Sequence, residues 1–185
     1  MVIVNKTCCI LFIIVGMILI GCQSNVELPA QLVAVVDNYP PNYIPDSSHI
    51  EYSRKINVVF KIKNVSRRNL FIPISDERGN EYHSFIKVSS PTNHNVMAGA
   101  YYWQNKGMLN GGDSISICVR LMELQLRDLG VYNLNPKEVI KRISFEYIID
   151  ARDLKESDCL VPNLKFHIPQ NVKSVHQEPE GMCGI

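Results

Sequence analysis

The sequence lacks a Gly-x-Ser-x-Gly turn, a Gly-x-x-x-x-Gly-Lys loop and a dinucleotide-type glycine fingerprint. Without the first, no serine is singled out as a nucleophile; without the others, no backbone cradle for phosphates is expected. It also lacks an excess of charge of one sign, with 19 Lys and Arg against 18 Asp and Glu, net +1. Nucleic-acid binding draws on clustered cations that neutralise phosphates, so a balanced chain without a basic stripe predicts no nucleic-acid partner. Arg67-Arg68 is the densest basic spot and reads as a solvated turn. The histidines, His49, His83, His94, His167 and His176, are scattered, and none stands at zinc-ligand spacing from another His or Cys. No metal and no cofactor is expected. Carboxylates such as Glu123, Asp128, Glu146 and Asp150 form no pair that sequence alone can define, because an acid–base pair is set by separation in space.

A long hydrophobic run is present, but it is short for a membrane span. Cys8 to Gly21 contains 14 residues without a polar side chain, behind a start whose single charge is Lys6. Crossing a ~30 Å hydrocarbon core takes about 20 apolar residues in a helix. A charged start, a short apolar run and a small residue at its end describe a secretory signal peptide over residues 1–21. The 164 residues from Cys22 onward carry a formal charge of zero and are enough for a hydrophobic core without metal or multiple disulfides.

The mature chain shows period-two alternation almost throughout, the mark of half-buried strands. Strands are predicted at Gln31–Val36, Ile56–Ile62, Leu70–Ile74, Glu81–Val88, Val96–Trp103, Ile115–Leu121, Ile143–Ile149 and Leu164–Ile168. Pro73 points to an edge position for its strand. The turns between them are rich in Asn, Gly and Asp, as at Asn110-Gly111-Gly112-Asp113. Leu121 to Leu126 fits either a strand extension or a helical turn. Asn135 followed by Pro136 reads as a helix cap with proline at the first helical position, opening a short helix to Arg142. The expected fold is an all-β, antiparallel two-sheet immunoglobulin-like sandwich with one or two short helices, over residues 29–169. Residues 22–28 form a tether and 170–185 a flexible tail.

Two stretches offer exposed aromatics. In Tyr101-Tyr102-Trp103 the first and third residues share one strand face and Tyr102 takes the other, so one face belongs to the core. Tyr39 and Tyr43 lie in a Tyr-Pro-Pro-Asn-Tyr-Ile-Pro loop that cannot continue a ladder. These five aromatics are the candidate binding residues. Cys118, Cys159 and Cys183 remain downstream of Cys22. Three thiols permit one disulfide and leave one over, with Cys118–Cys159, Cys159–Cys183 or no bond as the readings.

Leu19-Ile20-Gly21-Cys22 resembles the lipobox of bacterial lipoproteins. The resemblance implies cleavage between Gly21 and Cys22, a thioether from Cys22 to diacylglycerol, and acylation of the new amino group by palmitate-class chains. The residue types suit that chemistry, since a thiolate is the available nucleophile and Gly21 leaves room for a peptidase. By resemblance to enterobacterial sorting, Gln23 after the cysteine favours the outer membrane. The run Ile56 to Asn64, Tyr101-Tyr102-Trp103 and Gly111 to Ile115 is similar to small bacterial sandwich domains related to the intracellular proteinase inhibitor of bacilli. That likeness implies a fold, and no inhibitory residue is carried over. The expectation is a non-catalytic binding or scaffolding module on the cell envelope, whose partners are the membrane and an envelope protein or glycan. An envelope hydrolase or a protease-inhibitor-like domain is the alternative.

Overall fold

The computed structural model describes residues 26–38, 54–75, 82–92, 94–102, 107–154 and 159–175. Ten strands and two short helices occur among them, so the domain is mostly β. The strands are β1 (Glu27–Asp37), β2 (Lys55–Lys63), β3 (Leu70–Phe71), β4 (Phe85–Ser89) and β5 (Asn95–Tyr102). They continue with β6 (Met108–Leu109), β7 (Ser114–Met122), β8 (Ser144–Ile148), β9 (Asn163–His167) and β10 (Ser174–Val175). Helices α1 (Glu123–Asp128) and α2 (Pro136–Arg142) lie between β7 and β8.

The expected antiparallel two-sheet arrangement is not what the strands build. One mixed sheet runs β10-β1-β2-β7-β5-β4-β8, with β9 also paired to β1, and a two-stranded β3-β6 ribbon stands apart. β9 and β10 both pair with β1 in parallel, one along its first half and the other along its second. Alternation shows which residues face inward but not which way a neighbouring strand runs, and so it left this open. The sheet curls until β8 and β9, near its two margins, face each other without a ladder. Phe60 fills the seam, its ring edge-to-face with Phe166 at 4.8 Å and with Phe145 at 5.1 Å.

The period-two stripes form the core as the sequence predicts. Ile56, Val58, Phe60 and Ile62 from β2 meet Ile115, Ile117, Val119 and Leu121 from β7, all buried. β1 needs one correction to serve the same core along eleven residues. A bulge between Leu32 and Ala34 leaves Val33 45% exposed and shifts the register, so that Val35 faces inward where unbroken alternation would turn it out. β1 takes in Glu27 and Leu28, and β10 draws Ser174 and Val175 into the sheet, both beyond the expected domain limits.

The two ends of the barrel are closed differently. At the end where β7 finishes, the ambiguous Leu121 segment is strand to Met122 and helix from Glu123. Leu126 and Leu129 plug that end, and Gly130 at φ +69° closes α1, with Val131 N donating to the Leu126 carbonyl. α2 opens as expected, with Asn135 Oδ1 accepting from Glu138 N at 3.0 Å and Pro136 in the first turn. Arg54 and Asp37, both buried, form a 2.8 Å ion pair there, and Arg54 also donates to the Tyr132 and Leu134 carbonyls. The opposite end is closed by β3, β6 and the turn that follows β2.

Candidate functional site

Three groups of polar or reactive side chains stand out. The first crosses the outer face of the sheet. Ala34, Val59, Cys118 and Tyr101 are register partners in successive strands, which lines them up as one row. Cys118 is on the face opposite the core, as its strand position predicts, yet it is only 2% exposed. It is disulfide-bonded. The Arg120 guanidinium lies 4.6 Å from the Tyr101 ring centre, and its Nε donates to Asn57 Oδ1. Tyr101 therefore presents a ring already covered by a cation. Tyr102 takes the inner face, and its hydroxyl is buried without a hydrogen-bond partner among the described residues. Burial pushes its ionisation well above the ordinary tyrosine value.

The second group is a buried carboxylate between β4 and the turn after β8. Asp153, 1% exposed, accepts from His83 N, Ser84 N and Ser84 Oγ, the last at 2.5 Å, and its Oδ1 lies 3.3 Å from His83 Nδ1. Burial alone would push this carboxyl up. The hydrogen bonds from Ser84 and His83 outweigh that and hold it below the usual carboxylate range. Serine, histidine and aspartate thus meet here, but the hydroxyl points at the carboxylate and not at the imidazole. Ser84 is fully buried. A nucleophile needs access for a substrate, and the buried Ser84 hydroxyl, held on the Asp153 carboxylate, has none. It pins the Asp150–Leu154 turn to β4. Nearby, Tyr147 donates from its hydroxyl to the Pro73 carbonyl at 2.6 Å.

The third group is the turn after β2, built around Asn64. This side chain is fully buried and its hydrogen bonds join its own turn to β6. Its Nδ2 donates to the Arg68 and Leu109 carbonyls, and its Oδ1 accepts from Ser66 N and Ser66 Oγ. Its backbone exchanges bonds with the next turn, Asn64 N to the Asp113 carbonyl and Gly112 N to the Asn64 carbonyl. The two turns touch so closely that a Cβ at Gly111 would lie 2.9 Å from the Ser66 carbonyl oxygen and the Arg67 carbonyl carbon. Sequence reading saw only a turn here. The available signal was Asn followed two residues later by Ser, an Asx-turn pattern, at the end of a strongly alternating strand.

The two glycines therefore predict different costs. Gly112→Ala meets no atom within 4 Å but must hold φ +86°, a strain of about 1 kcal/mol. Gly111→Ala must separate two backbones and should cost more, in the ~1–3 kcal/mol range of overpacking. Urea midpoints of the two variants measure the difference.

The candidate carboxylates do not converge. Glu123 binds Arg127 at 2.7 Å within α1, Glu146 of β8 binds Lys87 of β4 at 2.7 Å, and Asp150 binds Arg152 at 2.8 Å within one turn. The Arg152 hydrogen bonds hold Asp150 far below the ordinary carboxylate value. Among the described residues, no group of His, Cys, Asp and Glu is placed to hold a metal ion, and no helix is long and apolar enough to cross a membrane. Gly21, Cys22, Tyr39, Tyr43, Trp103 and Cys183 lie outside the described residues.

No protein family matches the chain, and searches of curated proteins and of solved structures return no match.

Proposed function

We propose that the chain is a lipid-anchored cell-envelope protein, held to the membrane through Cys22, whose β domain works as a non-catalytic binding or scaffolding module. The observation that carries this reading is the Leu19-Ile20-Gly21-Cys22 motif placed five residues ahead of β1. Five extended residues span about 17 Å at most, so the anchor would hold the first strand close to the bilayer. One acyl chain of myristoyl length binds marginally, while each buried methylene adds roughly 0.8 kcal/mol, so two or three long chains would hold the domain permanently. Gln23 favours an outer-membrane position.

A binding role is supported by what the polar groups do. The Ser84–Asp153 node is buried and used to pin a turn, and Glu123, Glu146 and Asp150 are each taken up in an ion pair. What supports a binding module in the fold is its mostly β build, a strongly curled mixed sheet with one face of its strands packed into a core. The anchor is tested by intact mass and membrane fractionation of the exported protein. The expected product begins at Cys22, carries acyl chains and sediments with membranes, while Cys22→Ala is unacylated and leaves the membrane fraction. A product that retains Met1 and an unmodified Cys22 thiol overturns the reading.

A further inference from the structure

We infer that the turn Val65–Asn69 is a membrane-contacting tip that rests on anionic phospholipid headgroups; this deepens the anchored reading above and rests on it. The register of the sheet places the tip. β1 and β2 pair Ala30 with Ile62, so continuing that ladder sets Glu27 level with Val65. β2 and β7 pair Lys63 with Ser114, which brings Asp113 to the same level. The end of the barrel that β1 enters from Cys22 is therefore the end that carries this turn. With at most about 17 Å of chain between Cys22 and Glu27, that end cannot stand far from the bilayer.

The chemistry of the tip suits such a surface. Val65 is 76% exposed, the highest exposure among the large hydrophobic residues described. Lys63, Arg67 and Arg68 surround it and are also exposed. At this end Lys165 is paired with Glu27 at 2.6 Å and Arg152 with Asp150, which leaves Lys63, Arg67 and Arg68 against the exposed Asp113 of the neighbouring turn, a net positive tip. An apolar side chain between cations can enter the headgroup layer while the cations meet phosphates, the division of labour seen in interfacial segments. The tip is also preorganised. Asn64 locks the turn from inside and Gly111 lets the neighbouring turn pack against it, so little conformational entropy remains to be lost on contact. The opposite end offers a built-in comparison, because Leu124 on α1 is 74% exposed and lies beyond the far end of β7.

The test uses the full exported protein reconstituted in liposomes containing a photoactivatable phosphatidylglycerol, with cross-linked peptides mapped by mass spectrometry. Peptides containing Val65–Asn69 should carry lipid at least tenfold more often than peptides containing Leu124. Each cation near an anionic surface contributes up to about a fivefold preference, so Lys63→Gln, Arg67→Gln and Arg68→Gln together should cut labelling of the tip by roughly tenfold to a hundredfold. Added salt should act in the same direction. Equal labelling at the two ends, or labelling indifferent to the three substitutions, overturns the proposal. The same spectra report acylation of Cys22. An acylated protein without tip labelling removes this inference alone, and an unacylated one removes the anchor while the labelling ratio still decides the tip.

Discussion

Asp153→Ala should destabilise the domain by about 3–5 kcal/mol at neutral pH. The carboxylate is the acceptor for two backbone N–H groups and one hydroxyl, all at buried or half-buried positions. Removing an acceptor from a buried donor costs roughly 1–3 kcal/mol per group. Several such losses are a large share of a total stability of about 5–15 kcal/mol. Asp153→Asn keeps an acceptor oxygen and should cost less. The acid dependence follows from the lowered ionisation of Asp153. Its stabilisation is present in full above the unfolded carboxyl value, near 4, and is lost as pH falls through the lower folded value. Urea unfolding at pH 7 and at pH 3 should show a smaller gap between wild type and Asp153→Ala at the lower pH. A variant as stable as wild type at pH 7 would show that the Asp150–Leu154 turn is held by other means.

Phe60→Ala is expected to cost about 3–5 kcal/mol, the usual range for removing a fully buried ring. The location of the damage is the sharper expectation. Phe60 touches Phe145 of β8 and Phe166 of β9, the two strands that face each other across the unpaired seam. The ladders of β2 with β1 and β7 do not depend on that ring. Hydrogen exchange should therefore quicken first in β8 and β9, while β2 and β7 keep their protection until global unfolding. Uniform loss of protection across all strands would mean that the seam is not a separate zone of weakness.

Much of the fold is legible in the sequence, and the reason is specific. Ile56, Val58, Phe60 and Ile62 alternate with Asn57, Lys61 and Lys63, and burial of one face fixes both the strand and its register. Asn135-Pro136 marks the start of α2 because a cap and a fixed φ are properties of those residues themselves. What stays hidden depends on partners. The parallel pairing of β9 and β10 with β1 runs through backbone groups that every residue carries. The bulge at Val33 changes direction without a glycine to announce it. The candidate binding residues were readable only as face assignments: Tyr102 goes inward and Tyr101 outward, but the Arg120 guanidinium over Tyr101 comes from a strand whose position sequence could not give. A buried asparagine that ties its own turn to β6 looks, in sequence, like any turn residue.

The arrangement around β1 has a mechanical consequence. If the chain is held through Cys22 as proposed, a pull on that anchor would enter the domain at Glu27 and run along the strand axis, loading its ladders to β2, β9 and β10 lengthwise. Force applied in that direction strains many hydrogen bonds together, whereas a strand peeled sideways gives them up one at a time. The strand nearest the anchor is also the one with the most lateral partners, so traction is spread over the sheet before any single contact must yield.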